Sequence, residues 1–168
     1  MVRSEKAKGD VNAILKKAKK LENNADTGEK VEELIKVYES ALKIKPASRT
    51  VLESLARNCF LMAYGYGRDE DEKAHYYIKS MKYSEQALYL NGDFKVKVDN
   101  GAKLWEVLDV LKRDDMYALI SWYLSAGSYW KECFNVVERV LNIIWVERFK
   151  KVVTRMMEID PSYLHGMP

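Results

Sequence analysis

Few residues in this chain have the types and spacing that chemistry requires. Glu72 and His75 form an E-x-x-H pair, close enough in helical spacing to share a face. That pair is half of the motif that holds a di-iron centre inside a helical bundle. The whole centre needs a second pair and two more carboxylates, yet the other histidine is His165, in a loop-like tail. A solvated helix start therefore accounts for Glu72 and His75, while His165 is kept as a ligand or charge switch only in principle. Asp114 and Asp115 are adjacent carboxylates suited to acid–base work, but capping of the helix that follows explains both. Cys59 and Cys133 stand far apart within helical patterns, and they read as small apolar core residues rather than as a disulfide, ligands or nucleophiles. H-E-x-x-H, G-x-S-x-G, P-loop and paired C-x-x-C patterns are absent. The expectation is a protein without catalytic residues, metal or cofactor.

The aromatic residues say more. Eleven tyrosines and four tryptophans occur in 168 residues. They gather at Tyr64, Tyr66, Tyr76, Tyr77 and Tyr83 and again between Trp122 and Trp130. Large amphipathic rings fill helix interfaces, so core packing is one reading. The other is a cavity lined by rings and suited to an apolar or amphiphilic ligand. Its candidate lining is Tyr64, Tyr66, Tyr77, Trp122, Tyr123, Gly127 and Trp130, with Gly127 leaving room for a ligand or for close helix approach.

The elements that must position these residues are helices. From Asp114 to Ile144, Met116, Ile120, Tyr123, Gly127, Trp130, Phe134, Val137, Leu141 and Ile144 recur at steps of three and four. Leu119, Trp122, Leu124, Ala126 and Tyr129 form a second apolar row beside them. A helix apolar over more than half its circumference has to be wrapped by its neighbours. This one is read as a central post, bending between Glu138 and Glu147. Before it come a short amphipathic helix through Val11–Leu21, then a helix capped by Asp26 and stopped by Pro46, then one that Ser48 begins. A fourth helix runs from about Glu70 to Leu90, apolar on two sides, with Asn91-Gly92 as a left-handed stop. A fifth is expected over Asp99–Lys112, and the last ends at Asp160-Pro161.

Hydrophobic residues make up 48% and charged residues 32%, with three prolines and eight glycines. Such scarcity of turn formers favours long helices over a β-sandwich. The class is all-α, about seven helices in hairpins around the buried central helix, within a single domain over residues 1–168. A net charge of +3 with pI near 8.7 is too mild to argue for nucleic acid. Lys16, Lys17, Lys19 and Lys20 read as a solvated face. No apolar run approaches the ~18 residues of a membrane span, and MVRSEKAKGD lacks a signal core. Taken as complete, the chain would be cytoplasmic.

Leu34–Pro46 (LIKVYESALKIKP) and Phe149–Pro161 (FKKVVTRMMEIDP) share apolar offsets and a final proline. Ser80–Gly92 aligns less well. This is the second-helix half of a tetratricopeptide repeat, in degenerate form because the spacing departs from ~34 residues. Read in order, AYGYGRDEDEKAHYYIKSMKYSEQAL, RDDMYALISWYLSAGSYWKECFN, VERFKKVVTRMMEIDPSY and LHGMP resemble the TatT family. These are T-component lipoproteins encoded beside tripartite ATP-independent periplasmic (TRAP) transporters, and the likeness covers most of Tyr38–Pro168.

The resemblance implies a tetratricopeptide-like solenoid with a cavity, docking a periplasmic solute-binding protein and accommodating a small hydrophobic ligand. It also implies a periplasmic location through a lipid anchor that this chain lacks, and a longer protein of which the chain is the N-terminal part. The Tyr64–Asp71 loop and the tail would lie at the cavity rim, making Arg68, Asp69 and His165 the candidate partner-binding residues. No nucleic acid is expected, and a homo-oligomer is left open. The alternative is a generic tetratricopeptide-type adaptor binding a peptide or partner helix.

Overall fold

The computed structural model describes the backbone of residues 2–162 and the side chains of residues 11–162. It is all-α, with no strand among the described residues. The helices are α1 (Val2–Glu22), α2 (Gly28–Ile44), α3 (Arg49–Leu61), α4 (Glu70–Leu88), α5 (Gly92–Asp99), α6 (Met116–Glu132), α7 (Val136–Leu141) and α8 (Ile144–Ile159). Hairpins α1–α2 and α3–α4 pack side by side, α4 lies between α3 and α6, and α8 closes over α6.

Local chemistry sets most boundaries. Thr27 rather than Asp26 caps α2, accepting from the Lys30 backbone N–H at 3.4 Å, while Asp26 pairs with the Lys30 ammonium at 2.6 Å. Ser48 does precede α3, but its hydroxyl makes no capping bond. After Leu61 the helix widens into a π-helical turn over Met62–Tyr66. The chain then leaves through Gly67, where an added Cβ would sit 2.7 Å from the Ala63 carbonyl oxygen. Asp69 caps α4, accepting from the Glu72 N–H at 2.8 Å.

Two apolar clusters hold these elements. Val31, Leu34, Ile35, Tyr38 and Ala41 of α2 meet Ala18 of α1 and Val51, Leu55 and Cys59 of α3. The larger cluster surrounds α6, where Met116, Leu119, Ile120 and Trp122 pack on Leu52, Leu88, Phe94, Leu111, Val152 and Met156. Each such large side chain is worth roughly 1.5–3 kcal/mol of burial. The contact between α3, α4 and α6 is made by small residues and a run of buried hydroxyls. Ser125 donates to the Ser80 Oγ at 2.7 Å, and Ser80 donates to the Ala56 carbonyl at 2.7 Å. The two-sided α4 is thus an interior member of the stack.

The central helix is real but shorter than its spacing suggests. Cys133, with φ −107° and ψ 0°, ends α6. Asn135 then starts α7 in a reciprocal capping box, accepting from the Glu138 N–H at 2.9 Å while Glu138 accepts from the Asn135 N–H at 2.8 Å. A second break falls at Asn142–Ile143, inside the expected bend, but the first at 133–135 lies before it. As a result Val137, Leu141 and Ile144 do not continue the inner face; they are 66%, 76% and 53% exposed.

The expected helix over Asp99–Lys112 is also replaced. Helix α5 occupies Gly92–Asp99, and three separate 3-10 turns follow at Leu104–Glu106, Leu108–Val110 and Arg113–Asp115. Asn91 is not a left-handed stop but the cap of α5, accepting from Asp93 and Phe94 N–H at 3.1 and 3.3 Å. The left-handed residue is Gly101, at φ +96°, where the chain turns from α5 into the 3-10 segment.

Acid should weaken the start of α4. The Glu72 carboxylate accepts from the Arg68 guanidinium and from the Arg68 backbone N–H, each at 2.9 Å. These bonds, led by the guanidinium, pull its pKa from an ordinary 4.5 to about 2. A carboxyl depressed in the folded state stabilises it above the unfolded value and loses that contribution as pH falls from 4.5 towards 2. Urea midpoints of Glu72→Gln should therefore lie below those of the parent at pH 7 and converge with them near pH 2. Parallel pH profiles would contradict this.

Candidate functional site

A concavity lies between α4 and the segment that turns out of α5. It is a cleft of about 500 Å³, within the range of small-ligand sites. Tyr89, Phe94, Val98, Ala102, Leu104 and Trp105 supply its apolar walls, and Lys82, Glu85, Gln86 and Lys103 its polar groups. Sequence dictates this shape. Asn100-Gly101 breaks the helical run after α5, so the chain crosses the end of α4 in tight turns instead of packing along it. Phe94 is buried against Leu88, and the Lys95 ammonium sits 4.4 Å from the Tyr89 ring centroid.

The cleft is coupled to the core through Glu85. Its carboxylate accepts from the Trp122 indole N–H at 2.9 Å, so a cleft-side acceptor satisfies a fully buried ring. Beyond Trp122 runs a chain of rings. Trp145 lies 6.2 Å from Trp122, 5.6 Å from Trp105 and 5.7 Å from Phe149. The Arg148 guanidinium covers Trp105 and Trp145 at 4.0 and 4.7 Å. Trp105 therefore forms a cleft wall on one side and belongs to this aromatic stack on the other.

The candidate residues read from sequence fall in several places. Trp122 is buried in the α6 cluster, 1% exposed. Tyr123 and Trp130 both pack edge-on to Phe149 of α8, at 5.9 and 6.4 Å. Trp130 also borders a small space of about 70 Å³ with Met81, Ala126, Tyr129, Phe134 and Trp145. A Cβ at Gly127 would meet nothing within 4 Å. Tyr77 is fully buried, and that burial raises its phenol pKa. Tyr64 is 62% exposed and stacks on Phe60 at 5.5 Å, with Phe60 in turn 6.0 Å from Tyr77. Tyr66 lies over Gly28 at the start of α2. The structure thus joins Trp122, Tyr123 and Trp130 through the rings of α8 and groups Tyr64 with Tyr77 elsewhere. None of them lines the large cleft.

Of the rim candidates, Arg68 is bound to Glu72 and Asp69 caps α4. His165 lies outside the described residues. His75 packs against Tyr76 at 5.0 Å. Among the described residues, no group of three His, Cys, Asp or Glu is placed to hold a metal.

Asp115 holds the N-cap position of α6 but makes no side-chain capping bond to that helix. Its side chain is 3% exposed and accepts from Arg49 of α3 at 3.0 Å, Asn91 at 2.7 Å and the Lys112 N–H at 3.0 Å. Those bonds pin both ends of the cleft-forming segment. Sequence reading passed over the cleft walls, although the Asn100-Gly101 dipeptide was the available signal.

Cys59 is buried, while Cys133 is half-buried and donates to the Glu70 carbonyl at 3.8 Å. Burial pushes the Cys59 thiol up to about 12 and the Cys133 thiol up to about 11. Thiolate is the reactive form, so Cys59 in a Cys133→Ser variant should take up a disulfide reagent only as fast as the chain unfolds. Rapid labelling in native buffer would contradict the burial.

No family model matches this chain, and no curated protein matches it either.

Proposed function

We propose that this chain is a non-catalytic helical scaffold that holds a small amphiphilic molecule in the cleft between α4 and the α5 turn. The observation that carries this reading is the cleft itself: about 500 Å³, apolar and aromatic in its walls, polar at Lys82, Gln86 and Lys103. An alkyl body would lie on Phe94, Val98, Leu104 and Trp105. An anionic or hydroxylated head would face the two ammonium groups.

The wider role proposed is that of a TatT-like component of a TRAP-type uptake system, docking a periplasmic solute-binding protein. Support for that part is the resemblance of four segments between Tyr38 and Pro168, together with paired helices of the expected class.

The two parts are tested separately. Intrinsic tryptophan fluorescence during titration with a medium-chain alkyl carboxylate should saturate, since Trp105 forms a wall. Ala102→Trp, which fills the cleft, should weaken binding at least tenfold. Equal binding by that variant would defeat the cleft reading. Co-purification with a TRAP-type periplasmic solute-binding protein tests the docking reading, and no association at micromolar concentrations would defeat it.

A further inference from the structure

Helix α7 and the residues after it leave six large aliphatic side chains in water. Val136, Val137, Val140, Leu141, Ile143 and Ile144 are exposed by 69, 66, 66, 76, 62 and 53%. Nothing in the chain's own core needs them, because α7 has no buried residue. From those exposures we estimate an apolar surface on the order of 600 Å², the upper end of what a monomer shows in its largest patch.

We infer that this patch is a two-fold interface between two copies of the chain, formed by α7 against α7. Two features favour a second copy. First, two patches face to face would remove about 1,200 Å², where specific interfaces begin. Second, a lipid surface fits poorly. Helices that lie in a membrane interface combine aromatic anchors with a cationic face. Here the exposed set contains no aromatic residue, and α7 is six residues long. Glu132, Glu138 and Glu147 also stand among Lys131, Arg139 and Arg148.

The inference does not depend on the cleft, which lies on α4 and α5. Sedimentation equilibrium of the 168-residue chain should show mass rising from 19.5 kDa towards twice that value. The measurement spans about 1 to 200 µM. Val137→Glu with Leu141→Glu should hold the chain at single mass across that range. Both positions are solvent-exposed, so the variant's helical circular dichroism should match the parent's. If the variant fails to fold, Val140→Cys in the Cys133→Ser background gives the second readout: a disulfide-linked dimer under mild oxidation. A parent that stays monomeric at 200 µM overturns the inference. So does a folded double-Glu variant that still dimerises, or a monomeric parent that floats with phosphatidylglycerol vesicles.

Discussion

Replacing Asp115 with alanine is expected to lower stability by about 3–5 kcal/mol, the usual cost of leaving a buried ion-pair network half broken. The carboxylate is nearly inaccessible and has three donors from three parts of the chain: Arg49, Asn91 and the Lys112 backbone. Its loss leaves the Asn91 amide only its 3.2 Å bond to the Val110 carbonyl and removes the side-chain bond to the Lys112 N–H. Arg49 suffers less, since its side chain is 30% exposed and keeps water as well as its 3.0 Å bond to the Asp114 carbonyl. Asp115→Asn keeps an acceptor and should cost roughly half as much. Asp114→Ala, at an exposed position, should stay within about 0.5 kcal/mol of the parent. Urea unfolding followed by circular dichroism separates the three. Equal midpoints for the Asp114 and Asp115 variants would show that Asp115 is no staple.

Trp122→Ala should be of similar severity, about 3–5 kcal/mol, because it removes the largest fully buried side chain from the α6 cluster. Trp122→Phe retains most of the apolar contact and gives up the indole bond to Glu85. That partner is solvent-exposed, so the freed carboxylate rehydrates and the cost stays near 1–2 kcal/mol. Near-ultraviolet circular dichroism adds a second readout, since Trp122 contacts Trp145 at 6.2 Å and their coupled signal should vanish in both variants. A signal that survives in Trp122→Ala would place the ring contact elsewhere.

What was legible in the chain followed from periodicity. The stripe of Val31, Leu34, Ile35, Tyr38 and Ala41 marked α2 and its buried face, and the two apolar rows marked the first four turns of α6. Periodicity misled where capping chemistry overrode it. Val137, Leu141 and Ile144 keep the helical spacing, but Asn135 with Glu138 offers the backbone a new start, and the helix reorients there. The N-x-x-E pattern was visible and outweighed by nine residues in register. Likewise Leu104, Leu108 and Leu111 have helical spacing, yet they are delivered to the core by 3-10 turns. Gly101 made that path available. The cleft was hidden for the same reason: a concavity between α4 and an irregular segment has no period to read. Aromatic clustering pointed to α6, whereas the open space formed where Phe94 and Trp105 come together across a turn.

Photolabelling tests whether the α4–α5 cleft holds the alkyl body of an amphiphile, as proposed. A medium-chain carboxylate bearing a terminal diazirine, irradiated with the full chain, should leave adducts on the peptides spanning residues 82–105. Competition by unlabelled carboxylate should remove them, and Ala102→Trp should reduce them at least tenfold. Adducts confined to residues 136–144, or labelling that competitor does not suppress, would contradict the claim.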